Sequence, residues 1–77
     1  MAVGFILITT KPGFETSVRD ALEKVALVSG KWTVFGEYDV FVKIECENEI
    51  DLTRCIIEDV RSIDGIVDTR TLIGAEV

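Results

Sequence analysis

Residues 31–46 read KWTVFGEYDVFVKIEC, two β-rich runs joined by a tight turn. The runs cover residues 31–35 and 38–46 and meet at Gly36-Glu37, a pair typical of a hairpin. In the second run, Tyr38 and every other residue up to Cys46 form one largely apolar side. This alternation predicts an antiparallel hairpin with a buried face in the middle of the chain.

The sequence before the hairpin predicts a strand followed by a helix. Residues 3–10 are rich in β-branched and aromatic side chains and end at the turn sequence Lys11-Pro12-Gly13. From Phe14 to Val28 the apolar residues recur every three or four positions, which predicts a helix over 14–28. Ser29-Gly30 then follows as the expected helix end, with Gly30 in a left-handed conformation.

The sequence after the hairpin predicts a second helix and a last strand. Asn48 is the expected N-cap, with Asp51 three residues later as a capping partner. Asp64-Gly65 ends the helix, and residues 66–73 form the strand. The expected buried stripe of the helix comprises Leu52, Ile56, Val60 and Ile63, widened by Thr53 and Ile57.

The resulting order, βαββαβ, predicts an α+β fold of the ferredoxin-like type, with a four-stranded antiparallel sheet and both helices on one face. The first strand is apolar on both sides, since Val3, Phe5 and Leu7 alternate with Ile6 and Ile8. Phe35 and Phe41 likewise fall opposite Val34 and Val42. An open sheet face with these residues is a large apolar patch, so we expect a second subunit's sheet to cover it.

Size and charge also favour association with other chains. For 77 residues of 8.5 kDa, hydrophobic burial of about 115 kcal/mol is offset by an ordering cost of about the same size. The net charge of −6 disfavours binding to nucleic acid or to an anionic membrane. No apolar run is long enough to span a membrane, and no signal peptide is visible, so sparse cysteine predicts a cytoplasmic protein.

The sequence carries little sign of catalysis. It has no histidine, and its glycines match neither a dinucleotide-binding nor a phosphate-binding loop, so we expect no enzyme activity and no cofactor. Cys46 and Cys55 are too few for a metal site and are expected to be buried free thiols. The acids Glu45 and Glu47 work against the lowered pKa that a redox cysteine needs.

The hairpin turn Gly36-Glu37-Tyr38-Asp39 is the leading candidate site. One interpretation is a turn in which Asp39 bonds to nearby backbone amides. The other adds a ligand, because an acid beside free turn amides suits the ammonium and carboxylate of an amino acid. Thr69 and Thr71 share one face of the last strand and are weaker candidates.

Two segments resemble the effector domain of the Lrp/AsnC (leucine-responsive, feast/famine) transcriptional regulators. Residues 35–40, Phe-Gly-Glu-Tyr-Asp-Val, resemble the family's Gly-x-Tyr-Asp turn, and residues 63–72 resemble its ending, a helix closing at Gly before a Thr-bearing strand. Phe35 replaces a common Thr and Ile66 a common Val.

The resemblance implies a single RAM-type effector-binding and oligomerisation domain over 1–77. Because Met1 falls at the start of the first strand, no helix-turn-helix is expected. The family resemblance further implies face-to-face dimers (a dimeric α/β barrel) that assemble into octamers or decamers and hold an amino-acid effector between dimers. It also allows co-assembly with full-length regulators. The implied ligand-binding residues are Gly36, Glu37, Tyr38, Asp39, Thr69 and Thr71.

Two alternatives remain open at this stage. One is a small dimeric α/β-barrel enzyme, an oxygenase or isomerase using Tyr38 and Asp39, although fold alone is weak support for it. The other is an ACT-type amino-acid-binding domain, which shares the βαββαβ order and has a glycine such as Gly13 after its first strand. Edge-to-edge sheets would favour the ACT domain, and face-to-face sheets the regulator family.

Overall fold

A computed structural model describes residues 1–74 and shows the predicted ferredoxin-like fold. The strands are β1 (Ala2–Thr10), β2 (Val28–Thr33), β3 (Val40–Cys46) and β4 (Ile66–Gly74). They form one antiparallel sheet in the order β2-β3-β1-β4. The helices are α1 (Glu15–Glu23) and α2 (Glu49–Arg54), and α2 continues as a π-helical stretch over Cys55–Val60.

The core lies between the helices and one face of the sheet. Ile6 and Ile8 of β1 are fully buried, as are Leu22 of α1 and Leu52 of α2. At Gly4 a Cβ would stand 3.1 Å from the Leu52 side chain, so α2 approaches β1 closely there. The alternation read from the sequence is confirmed, because every second residue of β1 and β3 is buried.

The first helix is shorter than the sequence predicts. It ends at Glu23, where the Lys24 and Val25 N–H groups donate to carbonyls three residues back. Val28 and Gly30 lie in β2 and pair with β3, so the prediction of Gly30 as a left-handed helix cap is wrong. The helical spacing of three and four residues also fits Val28, so the sequence pattern could not place it outside the helix. In β2 this residue is partly buried and the strand also gains ladder hydrogen bonds with β3, which favours the strand.

The hairpin connection is longer than predicted. β2 ends at Thr33 and β3 begins at Val40, so residues 34–39 form a loop. Phe35 lies in this loop with 96% of its surface exposed, and its predicted place on the open sheet face is wrong. The strand was expected to continue because Val34 and Phe35 have high β-propensity.

The second helix begins as predicted, since the Asn48 side chain accepts a hydrogen bond from the Asp51 N–H at 2.8 Å. Leu52, Ile56 and Val60 are buried as expected, and Ile63 packs against the core. Thr53 and Ile57 are exposed, so the predicted widening of the stripe is wrong; Cys55 widens it on the other side. Cys55 and Cys46, at the end of β3, both belong to the buried core and line one cavity.

The second face of the sheet is apolar and uncovered within the chain. Val3, Phe5 and Leu7 of β1 are half-buried on it. The Phe41 ring centroid lies 5.6 Å from that of Phe5 and 5.6 Å from that of Trp32, which is 51% exposed. We call this surface, centred on these three aromatic rings, the open face.

Candidate functional site

The loop 34–39 is held at one end of the sheet by backbone contacts. The Asp39 N–H donates to the Ile8 carbonyl at 2.8 Å, and the Val34 N–H donates to the Asp39 carbonyl at 3.0 Å. Gly36 has φ +116°, a left-handed conformation in which any side chain would be strained. The turn chemistry inferred from the glycine is therefore present, in a loop anchored to β1.

The Asp39 carboxylate is bound to the end of β1. Its Oδ2 accepts hydrogen bonds from the Thr10 N–H at 2.9 Å and from the Thr10 hydroxyl at 3.3 Å. Thr10 is only 6% exposed, and Asp39 is half-buried. Asp39 thus braces the loop against β1, and in the part of the chain that the structure describes no hydrogen bond uses its Oδ1.

A second threonine also holds the turn. The Thr9 hydroxyl donates to the Glu37 carbonyl at 3.2 Å. Glu37 is exposed and Tyr38 is half-buried. Sequence reasoning missed Thr9 and Thr10, which it counted only as strand formers; two hydroxyls at a strand end are the signal that could have marked them.

Thr69 and Thr71 lie on the far side of β1 from the turn. Thr69 pairs with Ile8 and Thr71 with Ile6, so both hydroxyls share the face of the sheet that carries the helices. Since β1 separates β4 from β3, about 10 Å divides Thr69 from the start of β3. The structure therefore brings Thr69 to the same end of the sheet as Asp39 without contact, and leaves Thr71 farther along β4.

Three ionisable groups outside the turn have shifted pKa values. A hydrogen bond and ion pair with Lys31 lower the pKa of Glu23. The pKa of Glu45 is lowered mainly by its hydrogen bond with Lys43 and, to a smaller extent, by one with Ser29. Burial, with Asp59 beside it, raises the pKa of the Cys55 thiol to about 11.

The two cysteines are shielded from solvent. Cys46 and Cys55 are both buried and free, and the raised pKa keeps Cys55 in its unreactive thiol form. Residues 1–74 contain no group of three or more side chains suited to hold a metal ion. Within the same residues, no helix is both long and apolar enough to cross a bilayer.

Comparison with known proteins identifies the family. Residues 3–76 match the family model described as the Lrp/AsnC ligand binding domain. The chain belongs to the Lrp/AsnC family. The match is to the ligand-binding domain of that family, and it favours this family over the barrel-enzyme and ACT-type alternatives. Curated relatives are described as HTH-type transcriptional regulators.

Individual relatives support the same assignment. The HTH-type transcriptional regulator FL11 of Pyrococcus furiosus is 33% identical over 75 residues, which are 97% of this chain and 49% of that protein. This Lrp/AsnC domain thus spans about half the length of the curated relatives that it matches. The crystal structure of FFRP-DM1 superposes with a TM-score of 0.92 at 36% identity and covers 97% of this chain and 100% of that one.

A more distant solved structure shares the fold alone. A transcriptional regulator of Neisseria meningitidis, solved as a complex with L-Met, has a TM-score of 0.84 at 13% identity. The match covers 97% of this chain and 50% of that one.

Proposed function

We propose that this Lrp/AsnC domain binds a small amino acid at the turn Gly36–Asp39 and that binding controls its assembly. The observation that carries the proposal is the half-buried carboxylate of Asp39, which is anchored through one oxygen at the rim of the sheet. The family assignment supports it, as does the L-Met complex of a regulator that shares the fold.

The chemistry of the turn suits the two charged ends of an amino acid. Asp39 Oδ1 would accept from the ligand's ammonium group while Oδ2 remains on Thr10. The turn amides of Gly36 and Tyr38 would donate to its carboxylate. Glu37 lies between these two residues on the exposed side of the turn. Thr69 and Thr71 would contact the ligand either from a neighbouring subunit or from across β1.

The open face would be covered by the same face of a second copy, giving a face-to-face dimer, the dimeric α/β barrel. Three partly exposed aromatic rings, of Phe5, Trp32 and Phe41, form its centre, and aromatic side chains dominate stable interfaces. Dimers would then join into a ring of eight or ten subunits with the turns at their seams. Full-length regulators carrying the same domain could enter such a ring through the same surfaces.

Binding and assembly are linked in this proposal. A ligand shared by two dimers has higher affinity for the state in which they meet, so it stabilises the larger complex by mass action. The protein would thus report the concentration of an amino acid as a change in oligomeric state.

Calorimetry against the twenty amino acids, with the mass of the complex measured in parallel, tests the proposal. Asp39→Asn keeps an oxygen for Thr10 but removes the charge that holds the ammonium group, so we expect at least a tenfold loss of affinity, about 1.4 kcal/mol, with the fold intact. Asp20→Asn, the same change at an exposed acid on α1, is the matched control. No binding by any amino acid, or equal binding by the Asp39→Asn variant, would exclude the sensor.

A further inference from the structure

The outer side of α2 and of the π-helical stretch that follows it carries apolar side chains that the core does not use. Ile50 and Ile57 are 73% and 55% exposed, although the same helix buries Leu52 and Ile56. The two isoleucines are about two helical turns apart, so they lie on one side of the helix. They belong to a shallow groove of about 520 Å³, which is lined by Glu49, Ile50, Thr53, Arg54, Ile57 and Glu58.

The position of this groove keeps it clear of the surfaces proposed for assembly. α2 packs against β1 and β3, the two inner strands of the sheet. The open face lies on the opposite side of the sheet from the helices, so a face-to-face dimer that also engages the sheet edges leaves the outer side of α2 uncovered. Asn48 follows the end of β3, whereas the turn 34–39 precedes its start. The Ile50 end of the groove is therefore at the opposite end of the sheet from the turn.

Most of the negative charge of the chain surrounds the groove. Residues 47–59 contain five exposed acids and one cation, Arg54, so they carry −4 of the net charge of −6. Glu49 and Glu58 line the groove itself. A neighbouring cavity shares Arg54 and Glu58 with the groove and adds the acids Glu47, Asp51 and Asp59. The groove is thus an apolar strip bordered by acids.

This charge decides which kind of partner fits the groove. A second copy would place the same acids against these acids, and nucleic acid or an anionic membrane would be repelled for the same reason. An amphipathic helix that has lysine or arginine beside its apolar stripe carries the complementary pattern. Its apolar side chains would pack against Ile50 and Ile57 while its cations pair with Glu49 and Glu58, the arrangement by which helices are recognised in grooves.

Arg54 is the one positive charge among residues 47–59 that such a helix would meet. Its Nη1 atom lies 4.0 Å from Oδ1 of Asp51, and both side chains are exposed. An exposed ion pair of this kind offsets the charge only in part. Arg54 therefore weakens the binding of a basic helix and strengthens the binding of an acidic one, so its removal has opposite effects on the two.

We propose that the outer side of α2 is a docking site for a positively charged amphipathic helix of another protein. Docking buries Ile50 and Ile57 and pairs the surrounding acids with the cations of the partner. The π-helical stretch Cys55–Val60 supplies Ile57 and Glu58 to the groove, and such stretches are rare and often occur at functional sites. The inference goes beyond the proposed amino-acid site and does not depend on it, since no residue of the groove belongs to the turn.

A peptide titration tests the chemistry of the site. The probe is a synthetic helix of lysine and leucine, about 14 residues (roughly four turns) long, with its leucines on one face. One control peptide has the same composition in an order that gives no apolar face, and another has glutamate in place of lysine. Calorimetry on the full chain should show binding of the probe, at least tenfold weaker binding of the reordered peptide and no binding of the acidic one. Absence of probe binding, equal affinity for the reordered peptide, or tighter binding of the acidic peptide would overturn the proposal.

Substitution of the apolar residues locates the site on the chain. Ile50→Gln/Ile57→Gln removes both anchors, keeps good helix formers on an exposed surface, and should lower the affinity for the probe at least tenfold. Val67→Gln, the same change at a similarly exposed residue of β4, is the matched control and should leave the affinity unchanged. Circular dichroism should show the same fold in both variants. Equal affinities of the two variants would place the peptide elsewhere and refute the site.

Substitution of the charged residues gives the sign of the partner. Glu49→Gln/Glu58→Gln should lower the affinity for the probe about fivefold and reduce its dependence on salt, because two attractive charges are lost. Glu15→Gln/Asp20→Asn, the same loss of charge on the exposed side of α1, is the control. Arg54→Gln should raise the affinity at least twofold. A lower affinity in the Arg54→Gln variant, or equal losses in the two acid variants, would contradict the docking of a basic helix in this groove.

Discussion

The two faces of the sheet are formed by the same strands, but only one of them is covered within the chain. On the helix side, Ile6 and Ile8 are fully buried within the chain. On the other side, Phe5 and Leu7 are only half-buried, although burying them would stabilise the protein by a similar amount. Apolar alternation therefore identifies what must be buried, and the chain's own helices suffice for only one of the two faces.

The largest expected effect is a loss of folding stability, and it should differ between two alanine variants, one on each face of the sheet. Ile6→Ala leaves a cavity under the helices and should lower the free energy of unfolding by about 2–5 kcal/mol at every protein concentration. Leu7→Ala, the adjacent residue on the open face, should act mainly through association, so its cost in denaturant unfolding should shrink as the protein is diluted. If the cost of Leu7→Ala is as large and as independent of concentration as that of Ile6→Ala, the open face is not an interface.

On the covered side of the sheet, the buried thiol of Cys55 should make the free energy of unfolding depend on pH at alkaline values. Burial raises the pKa of this thiol from 9.0 to about 11 in the folded protein. Between these values the unfolded chain loses the proton and the folded chain keeps it, so the free energy of unfolding falls as pH rises, by at most about 1.4 kcal/mol per pH unit.

Denaturant unfolding from pH 8 to pH 11 measures this slope, and the Cys55→Ala variant should have a smaller one. A slope unchanged by that substitution would assign the alkaline loss to other groups.

The smallest expected effect is on a helix end that belongs to neither face. Asn48→Ala removes the side-chain oxygen that accepts from the Asp51 N–H and should cost about 1 kcal/mol. Because the cap is exposed, the loss should be the same in monomer and complex. Asn48→Asp keeps an acceptor and should recover most of the loss in the same unfolding measurement; failure to recover would mean that the cap is not the cause.

Local chemistry explains what could be predicted of the site. Gly36 marked the turn because a left-handed residue there requires glycine, and Asp39 was read as an acid that needs a donor. The identity of the donor, Thr10, could not be read, since 29 residues separate the two. The threonines of β4 were placed on one face correctly, but their separation from the turn by β1 follows from strand order alone.

The order of elements, the apolar alternation of β1 and β3, and the Asn48 cap all follow from the linear chain, because each depends on residues a few positions apart. Three features depended on packing: the end of α1, the partner of Asp39 and the place of β4 at the edge of the sheet. At Val28, pairing with Ile44 overrode the helical spacing. Thr69 and Thr71 are visible in the sequence, yet only the register of β4 on β1 shows which residues of β1 they lie beside.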